Sequence, residues 1–430
     1  MIKYGHPPRG DAGFIVRLSI FWIFFIYEAF MKKIVIIISI LIVIFLGYFC
    51  FSKYQENKYQ EKINNIIKEI KLKDNLETTY NSKVYVSDFI SNINGKIIDD
   101  YLIDTKKVGV KDVDFSFMSD DIKIDYSYKI NVLDNTPPII DVNQTYTVTK
   151  GYKKDLLDVI RCYDDYDDYP ECRIEGIYDV NDIGNYPLVY KAKDHYGNET
   201  IKKFTLKVIN KTDSSSSVSK SIPFKSLYDT YKNDNTKIGI DVSKWQGDID
   251  YQKVKDAGVE FVFIKMGGEN GLDKEYYLDP KFERNIKGFK SVNIPVGIYY
   301  YSHANTEEKA LKDALWVYDN IKEYDIELPI VLDWENWSSY NKYHMSLNTL
   351  NNVSHTFLKA LKLLGYDTLL YSSKHYLENF WINNTNNVWL AHYTKETNYQ
   401  GKYMYWQRTS QAKINGITDN TVDFDIYYIK

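Results

Sequence analysis

Cysteine is nearly missing from this chain: three in 430 residues, at positions 50, 162 and 172. Three thiols cannot supply a four-ligand structural zinc site, so no structural metal is expected. A basic field is missing too. The net charge is −4 and the isoelectric point about 6.0, which leaves nothing to attract a phosphate backbone and excludes a nucleic-acid role. Gly47-Tyr48-Phe49-Cys50 has neither a small-x-small cleavage site nor a lipobox, because Tyr48 and Phe49 precede the cysteine. The acidic run Asp164-Asp165-Tyr166-Asp167-Asp168 lacks the ligand spacing and turn glycine of an EF-hand, so it reads as a solvated loop. No cofactor is implied anywhere. Cys162 and Cys172 bracket that acidic run, and either close a local disulfide in an exported domain or stay unpaired as small core residues.

What is present is enough apolar sequence, 44%, for two to four globular domains and a membrane segment. Tyrosine, at 40 residues, outnumbers phenylalanine, at 20, so aromatic surfaces able to stack on sugars are plentiful. Residues 14–27 are apolar but interrupted by Arg17, whereas Ile34–Phe51 carries no charge and is about long enough to cross a bilayer. Residues 1–30 therefore read as a leader or gene-model extension, and residues 31–52 as an uncleaved signal anchor starting at Met31. Lys32 and Lys33 would hold the N-terminus in the cytoplasm, placing the later domains outside the cell membrane after a single pass. Residues 53–75 are charged and helix-prone, a stalk.

Short alternating segments such as Lys83–Val86 and Ile122–Ile130 predict a small all-β domain over residues 76–133. A second β set follows over residues 134–210, with strands at Tyr146–Thr149, Tyr186–Ala192 and Ile201–Val208 and a hairpin turn at Asp194–Asn198. Its Thr136-Pro137-Pro138 entry, Gly184-Asn185-Tyr186 and Asp194-His195-Tyr196-Gly197-Asn198 turn resemble the immunoglobulin-like repeats of bacterial surface proteins, which implies a spacer or adhesive module. Residues 211–236, with Ser214–Ser217, read as a flexible linker.

From Lys237 the pattern changes to strands alternating with helix-length amphipathic segments, which predicts βα units and a parallel, barrel-like sheet. Strands are expected at Ile238–Val242, Phe261–Lys265, Val296–Tyr301, Ile330–Trp334, Thr368–Tyr371, Val388–Ala391, Met404–Gln407 and Val422–Ile426, eight with about five helices between the earlier ones. Carboxylates recur where strands end: Asp241, then Asp333 and Glu335 around one tryptophan, then Asp423 in the last strand. Residues two apart on a strand share a face, so Asp333 and Glu335 point the same way. In a closed barrel the last strand neighbours the first, and the four acids converge on one mouth.

These motifs resemble family-25 glycoside hydrolases, bacterial and phage lysozymes of the N-acetylmuramidase type. The resemblance rests on Asp241-Val242-Ser243-Lys244-Trp245-Gln246-Gly247, Val296–Ser302, Asp333-Trp334-Glu335, Trp389–Tyr393, Trp406-Gln407 and Val422-Asp423. It implies an α/β barrel of the (βα)5β3 type over residues 237–430 and cleavage of the β-1,4 bond between N-acetylmuramic acid and N-acetylglucosamine in peptidoglycan glycan strands. Glu335 matches the general acid, Asp333 its partner carboxylate, and Asp241 and Asp423 the flanking acids. The sequence departs from the family at Met266-Gly267-Gly268-Glu269, where many members carry a small residue, Thr and Glu before Gly. Glycoside cleavage needs a protonated acid at the leaving oxygen and negative charge near the anomeric carbon. Glu335 is expected to hold the proton and Asp333 to stay ionised. Tyr299, Tyr301, Trp334, Tyr371, Tyr393 and Trp406 follow strand ends and are candidates to line the groove. The alternative is a barrel that has kept its groove and lost turnover, serving as a wall-binding or adhesion module.

Overall fold

The computed structural model describes residues 12–210, 221–382, 384–418 and 420–429, with side chains from residue 25 onward. The chain divides into two compact units, Met1–Asp134 and Asn135–Lys430.

In the first unit one helix runs from Ala12 to Lys68. The expected leader, anchor and stalk are thus one continuous element over the described residues. No proline falls between Ala12 and Lys68, and the single mid-helix glycine, Gly47, costs only about 1 kcal/mol. Between Phe25 and Lys68 the helix is long and apolar enough to cross a membrane, and its apolar window is unburied. The stalk ends earlier than expected, because Lys71–Leu72 already pairs with Ile90–Asn92. A hairpin of Gly109–Ser119 and Ile122–Leu133 then centres a four-stranded sheet, with Val113, Phe117, Ile124 and Ile130 on its buried face. The expected strand at Lys83–Val86 does not form. The Asp88 carboxylate accepts from Tyr85 N at 2.7 Å, which turns the chain into a short 3-10 helix, Val86–Phe89.

The second unit holds a β-rich domain and the barrel. Glu171–Glu175, Gly184–Lys193, Glu199–Ile209 and Thr145–Thr149 form a four-stranded sheet in that order, and Ile139–Asp141 pairs separately with Arg161–Tyr163. Tyr190, Leu206, Val208, Ile140 and Cys162 share the core between them. Cys162 and Cys172 form a disulfide, which decides the alternative left open above. The acidic run between them is not a solvated loop. Asp164 and Asp167 are buried, and Asp168 Oδ1 accepts from Ser346 N, Ser346 Oγ and Thr349 Oγ1 at 2.7, 2.7 and 2.6 Å. The start of the helix Leu347–Leu363 supplies the donors for Asp168, while Asp164 and Asp167 accept from backbone N–H groups of their own loop and of His195.

The barrel strands are β1 Thr236–Val242, β2 Phe261–Glu269, β3 Val296–Tyr301, β4 Ile330–Asp333, β5 Thr368–Ser373, β6 Val388–Ala391, β7 Tyr405–Lys413 and β8 Val422–Tyr428. Strands β1 to β7 run parallel, and β8 closes the ring by pairing antiparallel with both β7 and β1. Helices α1 Tyr251–Asp256, α2 Phe282–Ser291, α3 Glu307–Ile321, α4 Leu347–Leu363 and α5 Lys374–Asn379 fall between the first six strands, and none follows β6 among the described residues. Of the expected linker, residues 211–220 lie outside the described residues, and the rest belongs to the barrel. Ile222–Pro223 pairs with Ala412–Lys413, and Phe224 and Leu227 enter the core, because an apolar pair three apart on a helix is better buried than left in water.

Strand alternation sorts the barrel into two cores. Ile240, Ile264, Ile298, Leu332 and Leu390 face the helices, while Phe261, Phe263, Val331, Leu369, Trp389 and Tyr405 fill the interior. Gly239 and Gly297 share the interior face. A Cβ on either would sit 2.4 Å from the ring of Phe261 or Phe263 respectively, so glycine there makes room for the two rings.

Candidate active site

Above the aromatic interior, the same alternation brings acids to the C-terminal mouth. Asp241 and Asp423 are register partners on β1 and β8. Asp333 ends β4, and Glu335 follows two residues later. All four line one pocket of about 180 Å³. Tyr299, Tyr301, Tyr371 and Tyr393 line it with them, as does Trp389, which stacks on Phe263 at 4.6 Å. Glu335, Tyr371 and Tyr393 also border an adjoining depression of about 500 Å³ with Lys374 and His392, so the pocket opens into a groove.

Two expected groove residues are elsewhere. Trp334 is fully buried. Lying between Asp333 and Glu335 on an extended chain, it must face the opposite side, where Nε1 donates to Ala304 O at 3.0 Å and the ring packs on Trp337 at 4.8 Å. Trp406 likewise precedes an inward residue and points outward, Nε1 donating to His392 O at 2.8 Å. Three pocket residues were not singled out from the sequence: Lys265, Trp389 and Gln407. Their signal was strand parity. Each has the same phase as an inward neighbour, Phe263, Ala391 and Tyr405 respectively.

Gln407 ties the walls to an acid. Its Oε1 accepts from Tyr371 and Tyr393 hydroxyls, each at 2.8 Å, and its Nε2 donates to Asp241 Oδ2 at 2.8 Å. Lys265 is the one cation among the pocket-lining residues, with Nζ 4.7 Å from the Tyr301 ring centroid and 5.8 Å from that of Tyr299.

Burial dominates the electrostatics. It pushes Asp333 well above the ordinary carboxylate range, the Glu335 charge adds to that push, and Lys265 opposes it. Glu335 reaches solvent at the rim, yet enough protein surrounds its carboxyl that desolvation raises its pKa too, again against Lys265. Asp241 is raised by burial and by Asp425, with the Gln407 hydrogen bond working the other way. Asp423 is pushed up to about 9, chiefly by burial and then by Asp241. Burial thus raises both members of the Asp333–Glu335 pair, and Lys265 is the group that favours their ionised forms. Asp333 is the more buried of the two, and its Oδ1 has no partner among the described residues.

The departure at Met266–Glu269 lies outside the pocket-lining set. Glu269 is buried and paired with Lys309 at 2.6 Å.

The class follows from this arrangement: a βα barrel gathering paired carboxyls under aromatic walls has the build of a glycoside hydrolase. Residues 240–417 match the model of glycosyl hydrolases family 25, and this part of the chain is similar to the lysozymes of that family. The autolytic lysozyme of Clostridium acetobutylicum is 26% identical over 194 residues, covering 44% of this chain and 54% of that protein. Lysozyme M1 of Streptomyces globisporus is 26% identical over 204 residues, covering 42% and 64%. The chain thus spans little more than half the length of the first of these relatives. The modular autolysin LytC of Streptococcus pneumoniae, solved with a synthetic peptidoglycan ligand, is 24% identical with a TM-score of 0.41 over 56% of each chain.

Proposed function

We propose that the barrel is an N-acetylmuramidase, hydrolysing the β-1,4 bond between N-acetylmuramic acid and N-acetylglucosamine in peptidoglycan. The observation that carries this reading is the convergence of Asp241, Asp333, Glu335 and Asp423 on one aromatic-walled pocket. Glu335, at the rim where the pocket meets the groove, donates the proton to the leaving oxygen. Asp333 is its partner carboxylate, and Lys265 favours the ionised form that the positive anomeric carbon requires. Asp241 and Asp423 complete the acid set, and the tyrosines offer faces on which sugar rings stack. The family model and the lysozymes among its relatives support the same substrate. The barrel is of the (βα)5β3 type, the preceding domain is an immunoglobulin-like module, and the helix over Ile34–Phe51 anchors the chain in the cell membrane with the later domains outside.

The full chain in detergent, incubated with purified cell walls, should release muramic-acid reducing ends. Glu335→Gln should lower the rate by about 10²–10⁴-fold while still sedimenting with the walls. Walls left intact by the wild-type chain, but bound by both forms equally, would establish the wall-binding alternative instead.

A further inference from the structure

The segment that follows Glu335 is poorly equipped to hold itself. Trp337–Tyr343 is a 3-10 helix interrupted at Ser339, whose φ of −124° is not helical, and His344 sits in the left-handed region at φ +49°. Short 3-10 runs have weak hydrogen-bond geometry, and a left-handed histidine is uncommon, so outside partners must fix the path. Those partners come from the β-rich domain. Arg161, held by Asp141 at 2.6 and 2.9 Å, donates Nη1 to Trp337 O at 3.3 Å, and Trp337 N donates in turn to Glu335 O at 2.8 Å. Asn341 uses its whole amide: Oδ1 accepts from Cys162 N at 3.0 Å, and Nδ2 donates to Leu157 O and Ile160 O at 2.6 and 2.9 Å. Tyr163 packs into the barrel core, its ring centroid 4.6 Å from that of Phe380.

The loop closed by the Cys162–Cys172 disulfide does the rest. Asp168 holds Ser346, the N-cap residue of α4, and Leu347 N and Asn348 N donate to the carbonyls of Asp164 and Asp165 at 2.9 and 3.0 Å. Tyr169 lies against His344, ring centroids 5.0 Å apart and 17° from parallel. A spacer would touch the barrel through its surface. This domain instead supplies donors and acceptors that the barrel's own backbone lacks.

We propose that the β-rich domain is a positioning part of the active site: Arg161, the backbone groups of Leu157, Ile160 and Cys162 that bind Asn341, and the disulfide-closed loop hold residues 337–349 in place and so fix the direction of the Glu335 carboxyl. This rests on Glu335 being the acid of the proposed reaction. None of the three touches substrate; they act through the segment.

The test uses the full chain in detergent with Arg161→Ala, Asn341→Ala and the double variant Cys162→Ala/Cys172→Ala. Each should lower kcat by about tenfold, since small misplacements of an acid carry large penalties. KM should change little, the pH–rate profile should shift, and amide exchange over residues 337–349 should quicken. Arg161→Lys, keeping a donor to Trp337 O, should recover part of the rate, and it decides the matter should Arg161→Ala fail to fold. Wild-type kcat and pH profile in the folded variants would overturn the positioning role. A wild-type chain that releases no reducing ends would overturn the muramidase reading, and unchanged exchange over 337–349 would then overturn this one independently.

Discussion

Gln407 donates a hydrogen bond from Nε2 to Oδ2 of Asp241 across 2.8 Å, joining β7 to β1 on the inner face of the barrel. The same amide accepts two tyrosine hydroxyls, so one side chain sets an acid and two pocket walls together. Gln407→Leu removes all three bonds. At about 1 kcal/mol for each hydrogen bond, a loss of about 2–3 kcal/mol is expected, read as a lower urea midpoint at unchanged slope. Asp241 loses the one bond that favours its charged form, so its pKa should rise further. A urea midpoint equal to wild type would show that the bonds are not formed in solution.

The two tryptophans that face away from the pocket separate stability from binding. Trp334→Phe leaves the Ala304 carbonyl without its donor and should cost about 1–3 kcal/mol, with KM for peptidoglycan unchanged. Tyr393→Ala, on the pocket wall, should raise KM by about three- to tenfold, the worth of one aromatic contact. A KM that moved with Trp334 and not with Tyr393 would reverse the placement of the two residues.

Strand phase explains what could be read from the residues alone. Acids at Asp241, Asp333 and Asp423, and tyrosines at Tyr299, Tyr301 and Tyr371, follow from strand ends with regular alternation, and all line the pocket. The same rule, applied to Trp334 and Trp406, puts them on the outer face; their aromatic chemistry had suggested otherwise. What alternation cannot show is which surfaces meet. Asp168 reads as a loop acid because its partners, Ser346 and Thr349, lie far along the chain. The helix Phe224–Tyr231 reads as linker because the sheet it packs on is assembled only later.

The acid cluster makes stability fall with rising pH. Asp423, pushed up to about 9 by burial and Asp241, keeps its proton in the folded chain where the unfolded chain releases it above about pH 4. The folded state therefore binds more protons across that window, and unfolding free energy declines as pH rises through it. This contribution is complete below the unfolded value and gone above the folded one. Urea midpoints at about pH 5 should exceed those at about pH 9, and Asp423→Asn should show a shallower decline. A slope unchanged by the substitution would assign the effect to other groups.

Gly297 offers a test of how tightly the pocket base is packed. It lies inward on β3, and the Phe263 ring occupies the space where its side chain would stand, at 2.4 Å from a built Cβ. The Leu328 side chain is 3.0 Å away on another side, so the added methyl has no open direction. Gly297→Ala must displace Phe263, which stacks on Trp389, whose Nε1 in turn donates to Asp425 Oδ1 at 2.9 Å. Overpacking of this kind costs about 1–3 kcal/mol, and here the strain runs directly into the pocket. Gly297→Ala should therefore lower both the urea midpoint and kcat. Phe263→Leu in the same chain should restore part of the stability by vacating the ring's place. Full activity and a wild-type midpoint in the single variant would mean that the interior is looser than the packed rings indicate.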